Sequence, residues 1–157
     1  MKKVVVMADS HRDKNIMKDI RKLEPDGDYY IHLGDSELSY DEMDHWACVK
    51  GNNDFDRAYP DEMIFQIEKL RFYVCHGHLF GYYKREEKMM KKLIEKDCQV
   101  ILYGHSHFPL HKEINGFHFI NPGSTRLPRM KSKKSYCVIF VDGDQLDVHF
   151  KELQKNA

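Results

Sequence analysis

Residues 3–11 read Lys3-Val4-Val5-Val6-Met7-Ala8-Asp9-Ser10-His11. A short, continuous apolar run of this kind predicts a strand buried on both faces, as in a parallel sheet. Polar residues with ligating side chains follow it at once. Asp13–Leu23 then carries Ile16, Met17, Ile20 and Leu23 at three- and four-residue spacing. That spacing predicts an amphipathic helix, stopped before Pro25. Tyr29–Leu33 predicts a second strand, Ser39–Asp44 a short helix and Trp46–Lys50 a third strand. The resulting β-α-β-α-β order, with short loops, is that of parallel strands joined by crossover helices.

Further along, Glu62–Ile67 and Leu70–Cys75 predict a hairpin turning at Glu68-Lys69. Lys84–Lys96 predicts a charged helix with Met89, Met90, Leu93 and Ile94 on one face, and Gln99–Tyr103 a strand. The last third changes character. His111–Ile114, Phe117–Ile120, Ser135–Val141 and Gln145–Phe150 are short and strand-like, separated by turns at Asn115-Gly116 and Asp142-Gly143-Asp144. The layout suggests an α/β (α+β) fold, two sheets packed face to face with helices outside. Residues 1–157 are expected to form a single domain.

Lys and Arg number 25 and Asp and Glu number 25, so the formal net charge is zero. That balance gives no electrostatic ground for nucleic-acid or membrane binding. No apolar stretch approaches the roughly 20 residues of a membrane span. The basic start and apolar run have the outline of a signal peptide, but Asp9, His11, Arg12, Asp13 and Lys14 end the run early. A cytoplasmic location is the expectation. Cys48, Cys75, Cys98 and Cys137 are widely spaced with no Cys-x-x-Cys, and read as small buried hydrophobes.

Five short motifs carry the chemistry: Asp9-Ser10-His11, Gly34-Asp35, Gly51-Asn52-Asn53-Asp54, His76-Gly77-His78 and Gly104-His105-Ser106-His107. Each follows a strand-like run, and strand ends in an α/β sheet gather along one edge. Taken singly, the first could cap a helix and the next two are ordinary turns. The paired histidines beside glycines are harder to explain as packing. Together they offer seven donors, Asp9, His11, Asp35, Asn52, His76, His105 and His107. That is too many for one tetrahedral ion and suits two divalent ions sharing a carboxylate. Mixed oxygen and imidazole donors favour Mn²⁺, Fe²⁺, Zn²⁺ or Ni²⁺ over Ca²⁺ or Mg²⁺.

In this order, and with Asn121-Pro122-Gly123-Ser124 after them, the motifs closely resemble the calcineurin-like metallophosphoesterases. The short length and last motif are similar to the small bacterial and archaeal YfcE-like phosphodiesterase branch. The resemblance spans roughly residues 1–150. It implies a four-layer αββα sandwich of two mixed sheets flanked by helices. It also implies two divalent ions per chain, Mn²⁺ foremost, with Ni, Zn, Fe or Mg as alternatives. By resemblance, Asp9, His11, Asp35 and His107 hold one ion and Asp35, Asn52, His76 and His105 the other, Asp35 bridging. A hydroxide between the ions would attack a small phosphate-ester substrate in line. Relatives of this kind form dimers and larger assemblies, so a homo-oligomer is expected on that ground alone.

One departure matters. Many members of the superfamily carry a proton-donating histidine where this chain has Asn53. An amide is no general acid near pH 7, but it could hydrogen-bond a phosphoryl oxygen. His78, two residues past His76, is the best substitute donor, or else a histidine that supports the ligands or stands exposed. Without a strong acid, aryl esters should turn over better than alkyl esters. Asp54 could orient a ligating histidine or simply close a turn. Tyr82 and Tyr83 could form a substrate wall or pack. The basic stretch of Arg126, Arg129, Lys131, Lys133 and Lys134 reads first as a solvated loop. His32, His45, His111, His118 and His149 lack partner motifs and read as structural or exposed. The Asn121–Ser124 turn is expected to shape the site through its backbone. A phosphodiesterase is the leading reading. A phosphomonoesterase or nucleotidase, a protein-interaction scaffold and a mononuclear zinc hydrolase are the alternatives.

Overall fold

The computed structural model describes residues 1–153, so the last four residues of the expected domain lie outside the described residues. Strand β1 (Lys2–Met7) forms from the apolar run, and its alternation sorts the molecule into layers. Val4, Val6 and Ala8 face a core between two sheets. Val5 and Met7 face the other way, onto helix α1 (Ile16–Leu23) through Ile16, Met17 and Ile20.

Parallel to β1 run β2 (Tyr29–His32) and then β3 (Ala47–Cys48), with Val6 opposite Ile31 and His32 opposite Cys48. The second sheet contains β4 (Glu62–Ile67), β5 (Leu70–Cys75), β6 (Val100–Leu102), β7 (Pro109–Ile114) and β8 (Phe117–Pro122). Strand β9 (Ser135–Asp142) returns antiparallel to the far side of β1, and β10 (Gln145–Glu152) pairs antiparallel with β9. The orders are β10-β9-β1-β2-β3 and β4-β5-β6-β8-β7. Both sheets are mixed: β5, β6 and β8 are parallel, with antiparallel strands at both edges. Helix α2 (Arg85–Glu95) covers the outer face of the second sheet with Met89 and Leu93 against Tyr73, Ile101 and Phe119. Helix, sheet, sheet and helix make the expected four layers.

Local chemistry moved several boundaries. The first helix begins at Ile16 rather than Asp13, because the Asp13 carboxylate accepts the Asn15 N–H (3.1 Å) and closes a turn there. Leu23, expected on its apolar face, is exposed. The Ser39–Asp44 helix is one 3-10 turn, Tyr40–Glu42, closed by reciprocal Ser39 and Glu42 bonds. Trp46–Lys50 pairs only at Ala47 and Cys48, since the Lys50 N–H turns away to the Pro60 carbonyl (2.8 Å). Ile94, off the line through Met89 and Leu93, is exposed. The hairpin at Glu68-Lys69 and the four buried, unpaired cysteines agree with expectation. Among the described residues no helix is long and apolar enough to cross a membrane.

Candidate metal centre

The carboxyl ends of β1, β2 and β3 meet those of β5 and β6 along one rim. The loops are stitched together by backbone bonds: Asp9 N–H to Gly34 O (3.0 Å), His11 N–H to Asp35 O (3.0 Å) and Gly104 N–H to His76 O (2.9 Å). The His105 N–H donates to Asp9 Oδ2 (3.1 Å), tying the second sheet to the first. Space is tight. A Cβ on Gly51 would lie 2.1 Å from Asp35 Oδ1, and one on Gly34 would lie 2.8 Å from His76 Nδ1. Asp9, His11, Asp35, His105 and His107 all adopt positive φ, between 39° and 74°. Such conformations cost energy in non-glycine residues and cluster where surrounding structure aims side chains for function.

Two groups of donor atoms result, each within 4.8 Å: Asp9, His11 and His107, and Asp9, Asp35 and His76. All five residues are buried. Hydrogen bonds on the far side of each ring decide what faces inward. A carbonyl only accepts, so the contacts of His107 Nδ1 with Leu127 O (2.6 Å) and of His76 Nδ1 with Leu33 O (2.8 Å) put the proton on Nδ1. Each Nε2 then presents a lone pair. His107 Nε2 faces Asp9 Oδ1 at 3.3 Å, and His11 Nε2 lies 3.4 Å from it. His76 Nε2 faces Asp35 Oδ2 at 3.3 Å, Asp9 Oδ1 at 3.7 Å and Asn52 Oδ1 at 3.0 Å. Asp9 Oδ1, fully buried, has no hydrogen-bond partner.

Acceptors facing acceptors require a cation between them. Protons are one solution. Burial lowers the His76 pKa, but the Asp35 hydrogen bond and the charges of Asp9 and Asp35 more than reverse it, so the net shift is upward. His107 rises likewise, burial being outweighed by its contact with the Asp9 carboxylate and that group's charge. Burial opposes the Asp35 charge, yet His76 and Asn53 hold the carboxyl well below the usual range. A divalent ion is the other solution, and buried carboxylates mixed with imidazoles form a borderline donor set. The residues therefore fit a metal.

All seven expected donors are brought together. Asn52 and His105 join through Asn52 Oδ1, which lies 3.0 Å from His76 Nε2 and 3.1 Å from His105 Nδ1. Asp9 lies in both donor groups. Asp9-Ser10-His11 is no helix cap, since α1 is preceded by Asn15. The Asn53 side chain donates to Asp35 Oδ2 and its backbone N–H to Asp35 Oδ1, both at 2.9 Å. Asp54 touches no histidine through a hydrogen bond. It accepts the N–H groups of Asp35 (2.9 Å), Gly51 (2.7 Å) and Glu37 (2.8 Å) and so closes the turn. His78 is half-buried, its ring 5.4 Å from that of His76. Burial and the charge of His76 lower its pKa, and Nδ1 has no partner.

The Asn121–Ser124 segment works through side chains as well as backbone. Asn121 donates to Gly104 O (3.1 Å) and Ser106 Oγ (2.8 Å), and Ser124 Oγ donates to Asp9 O (2.7 Å). Two contributors were missed in the sequence. Glu37 accepts from His11 Nδ1 (3.2 Å), which leaves His11 Nε2 facing the site. Its place two residues after Asp35 was the only signal. The Leu127 carbonyl, as a backbone group, left none. Buried His32 takes the Gly34 N–H on Nδ1 (3.0 Å) and pairs with Ser10 Oγ (2.9 Å), supporting two donor loops from beneath, which is a structural role as expected.

Residues 1–144 match the sequence model of the calcineurin-like phosphoesterase superfamily domain. The chain belongs to that superfamily. It is 34% identical over 156 residues to the probable metallophosphoesterase YsnB of Bacillus subtilis, covering 98% of this chain and 92% of that one. A Streptococcus pneumoniae structure described as a predicted phosphoesterase superposes with a TM-score of 0.88 at 31% identity, covering 95% of this phosphoesterase chain and 88% of the other. The phosphodiesterase YfcE of Escherichia coli is 34% identical over 110 residues, 64% of this chain and 54% of that one.

Proposed function

We propose that this member of the superfamily is a metal-dependent phosphodiesterase, with residues 1–157 acting as one domain. The observation that carries the proposal is Asp9 Oδ1, buried and unpartnered among the inward-facing Nε2 atoms of His76 and His107. Two divalent ions, Mn²⁺ foremost, would be held by Asp9, His11, Asp35, Asn52, His76, His105 and His107. When bound, such ions supply an activated water as nucleophile and positive charge for the phosphoryl oxygens.

The chain's own groups prepare the site. The Leu33 and Leu127 carbonyls and Glu37 hold three imidazoles with Nε2 inward. Asn53 holds both oxygens of Asp35 and adds to His76 in holding that carboxyl well below the usual range. His78, its ring 5.4 Å from that of His76, is the residue we assign to protonate the leaving oxygen. The partial match to YfcE supports a diester as the substrate.

The test is hydrolysis of bis-p-nitrophenyl phosphate against p-nitrophenyl phosphate, in Mn²⁺ and after chelation, with Asp35→Ala as control. Chelator-sensitive diester cleavage, absent in the variant, is expected. Faster monoester cleavage would reassign the protein as a phosphomonoesterase. No turnover of either would leave an interaction scaffold.

A further inference from the structure

The loops that carry the donors also carry exposed apolar side chains. Phe55 follows Asn52-Asn53-Asp54, Leu79 and Tyr82 follow His78, and Leu127 supplies the carbonyl that holds His107; all are exposed. Large apolar groups gathered on the rim of a polar site mark a surface that is covered in use.

Tyr82 is the best placed of them. Its ring stacks on His105, centroids 5.5 Å apart and planes at 28°, and the His105 ring lies 5.2 Å from that of His76. The Arg85 guanidinium lies 5.6 Å from the Tyr82 ring and 5.3 Å from the buried Tyr103 ring, anchoring the loop to the sheet beneath. Tyr82 is thus held by the His105 ring and the Arg85 guanidinium, yet 63% of it remains exposed. A fixed, exposed aromatic side chain one imidazole away from the donor cluster costs little conformational entropy to use, and it favours flat partners over branched ones.

We propose that Tyr82, backed by His105, forms a subsite for an ester group of the substrate, and that this group is a planar aromatic ring. The proposal rests on the phosphodiesterase reading. A nucleobase and a simple aryl group share the chemistry that Tyr82 would recognise.

The experiment holds the leaving group constant. Methyl, phenyl and thymidine-5′ p-nitrophenyl phosphates are compared in Mn²⁺, in the wild type, Tyr82→Ala and Tyr82→Phe. The kcat/KM ratio of the ring-bearing esters to the methyl ester should be on the order of tenfold in the wild type. It should fall towards one in Tyr82→Ala, through KM, and return in Tyr82→Phe. Which of the phenyl and thymidine esters is preferred distinguishes the two sources of the ring. A wild-type ratio near one, or a ratio that survives in Tyr82→Ala, would overturn the proposal. Calorimetric binding of diphenyl and dimethyl phosphate to Mn²⁺-loaded protein gives a readout free of turnover. Tighter diphenyl binding that depends on Tyr82 supports the subsite, and equal affinities sink it. If no ester is cleaved, the phosphodiesterase reading fails, and the calorimetry still decides the fate of the Tyr82 subsite.

Discussion

At the scale of single residues, two buried side chains carry opposite demands. Asp9 Oδ1 lacks any partner in the folded chain, so its charge is useful only with a cation beside it. Asp9→Asn removes the charge and keeps the shape. The expected result is a metal content well below that of the wild type and a kcat lower by roughly a hundredfold or more. The circular dichroism spectrum should be unchanged. Elemental analysis of dialysed protein, beside the kinetic assay, checks this. His32 has the reverse need. Burial lowers its pKa to about 4, because no solvent reaches the ring and the charges of Asp54, Asp9 and Asp35 only partly offset that loss. A histidine whose folded pKa lies below its unfolded value stabilises the fold above the unfolded pKa. That contribution is lost as pH falls. Stability should therefore decline between about pH 6.5 and pH 4, by about 3 kcal/mol, as protons enter the unfolded state first. Urea titrations of the wild type against His32→Gln should show a flatter acid limb in the variant. Equal slopes would remove His32 from the account.

At the scale of elements, the loops matter more than the strands they follow. Strand β3 pairs through only two residues, yet the loop beyond it delivers Asn52, Asn53 and Asp54. Gly51 makes this work by letting its backbone lie against Asp35. Gly51→Ala would place a methyl on Asp35 Oδ1 and on its backbone N, 2.1 and 2.5 Å away. The expected cost is about 1–3 kcal/mol of stability, from overpacking in a site with no room to relax. Asp35 should also be displaced and diester turnover lost. Thermal denaturation with the bis-p-nitrophenyl phosphate assay tests both at once, and retained activity would show that the loop yields where we expect it to hold. The two helix boundaries that moved share one cause. Side chains such as Asp13, Ser39 and Glu42 bonded the nearby backbone, and local bonds of this sort do not show in hydrophobic periodicity.

At the scale of the whole molecule, the donors come from both sheets. Asp9, His11 and Asp35 follow strands of the first, and His76 and His107 follow strands of the second. An ion held by them would pin the two sheets together at one rim and bind only the folded chain. Mn²⁺ at a hundredfold excess over its dissociation constant should then add about 2.7 kcal/mol of stability. The melting temperature should rise with Mn²⁺, fall on chelation and stay flat in Asp9→Asn. A melting temperature indifferent to Mn²⁺ would mean that the donors do not hold the ion across the sheets.

What the sequence alone determined was the inventory: which runs become strands, which residues carry donor atoms, and the order that marks the superfamily. Periodicity reports burial, and Gly-flanked Asp, Asn and His report strand ends, because both are local properties of the chain. Tertiary structure decided the rest. Asp9 came to lie in both donor groups. Asn53 was turned to Asp35, and Asp54 to three backbone N–H groups. Glu37 and the Leu127 carbonyl took supporting places that no motif announces. Each of these is a contact between residues far apart in the chain or a direction taken by one side chain. Such contacts depend on how the two sheets stack and where the loops turn, so only the folded molecule fixes them.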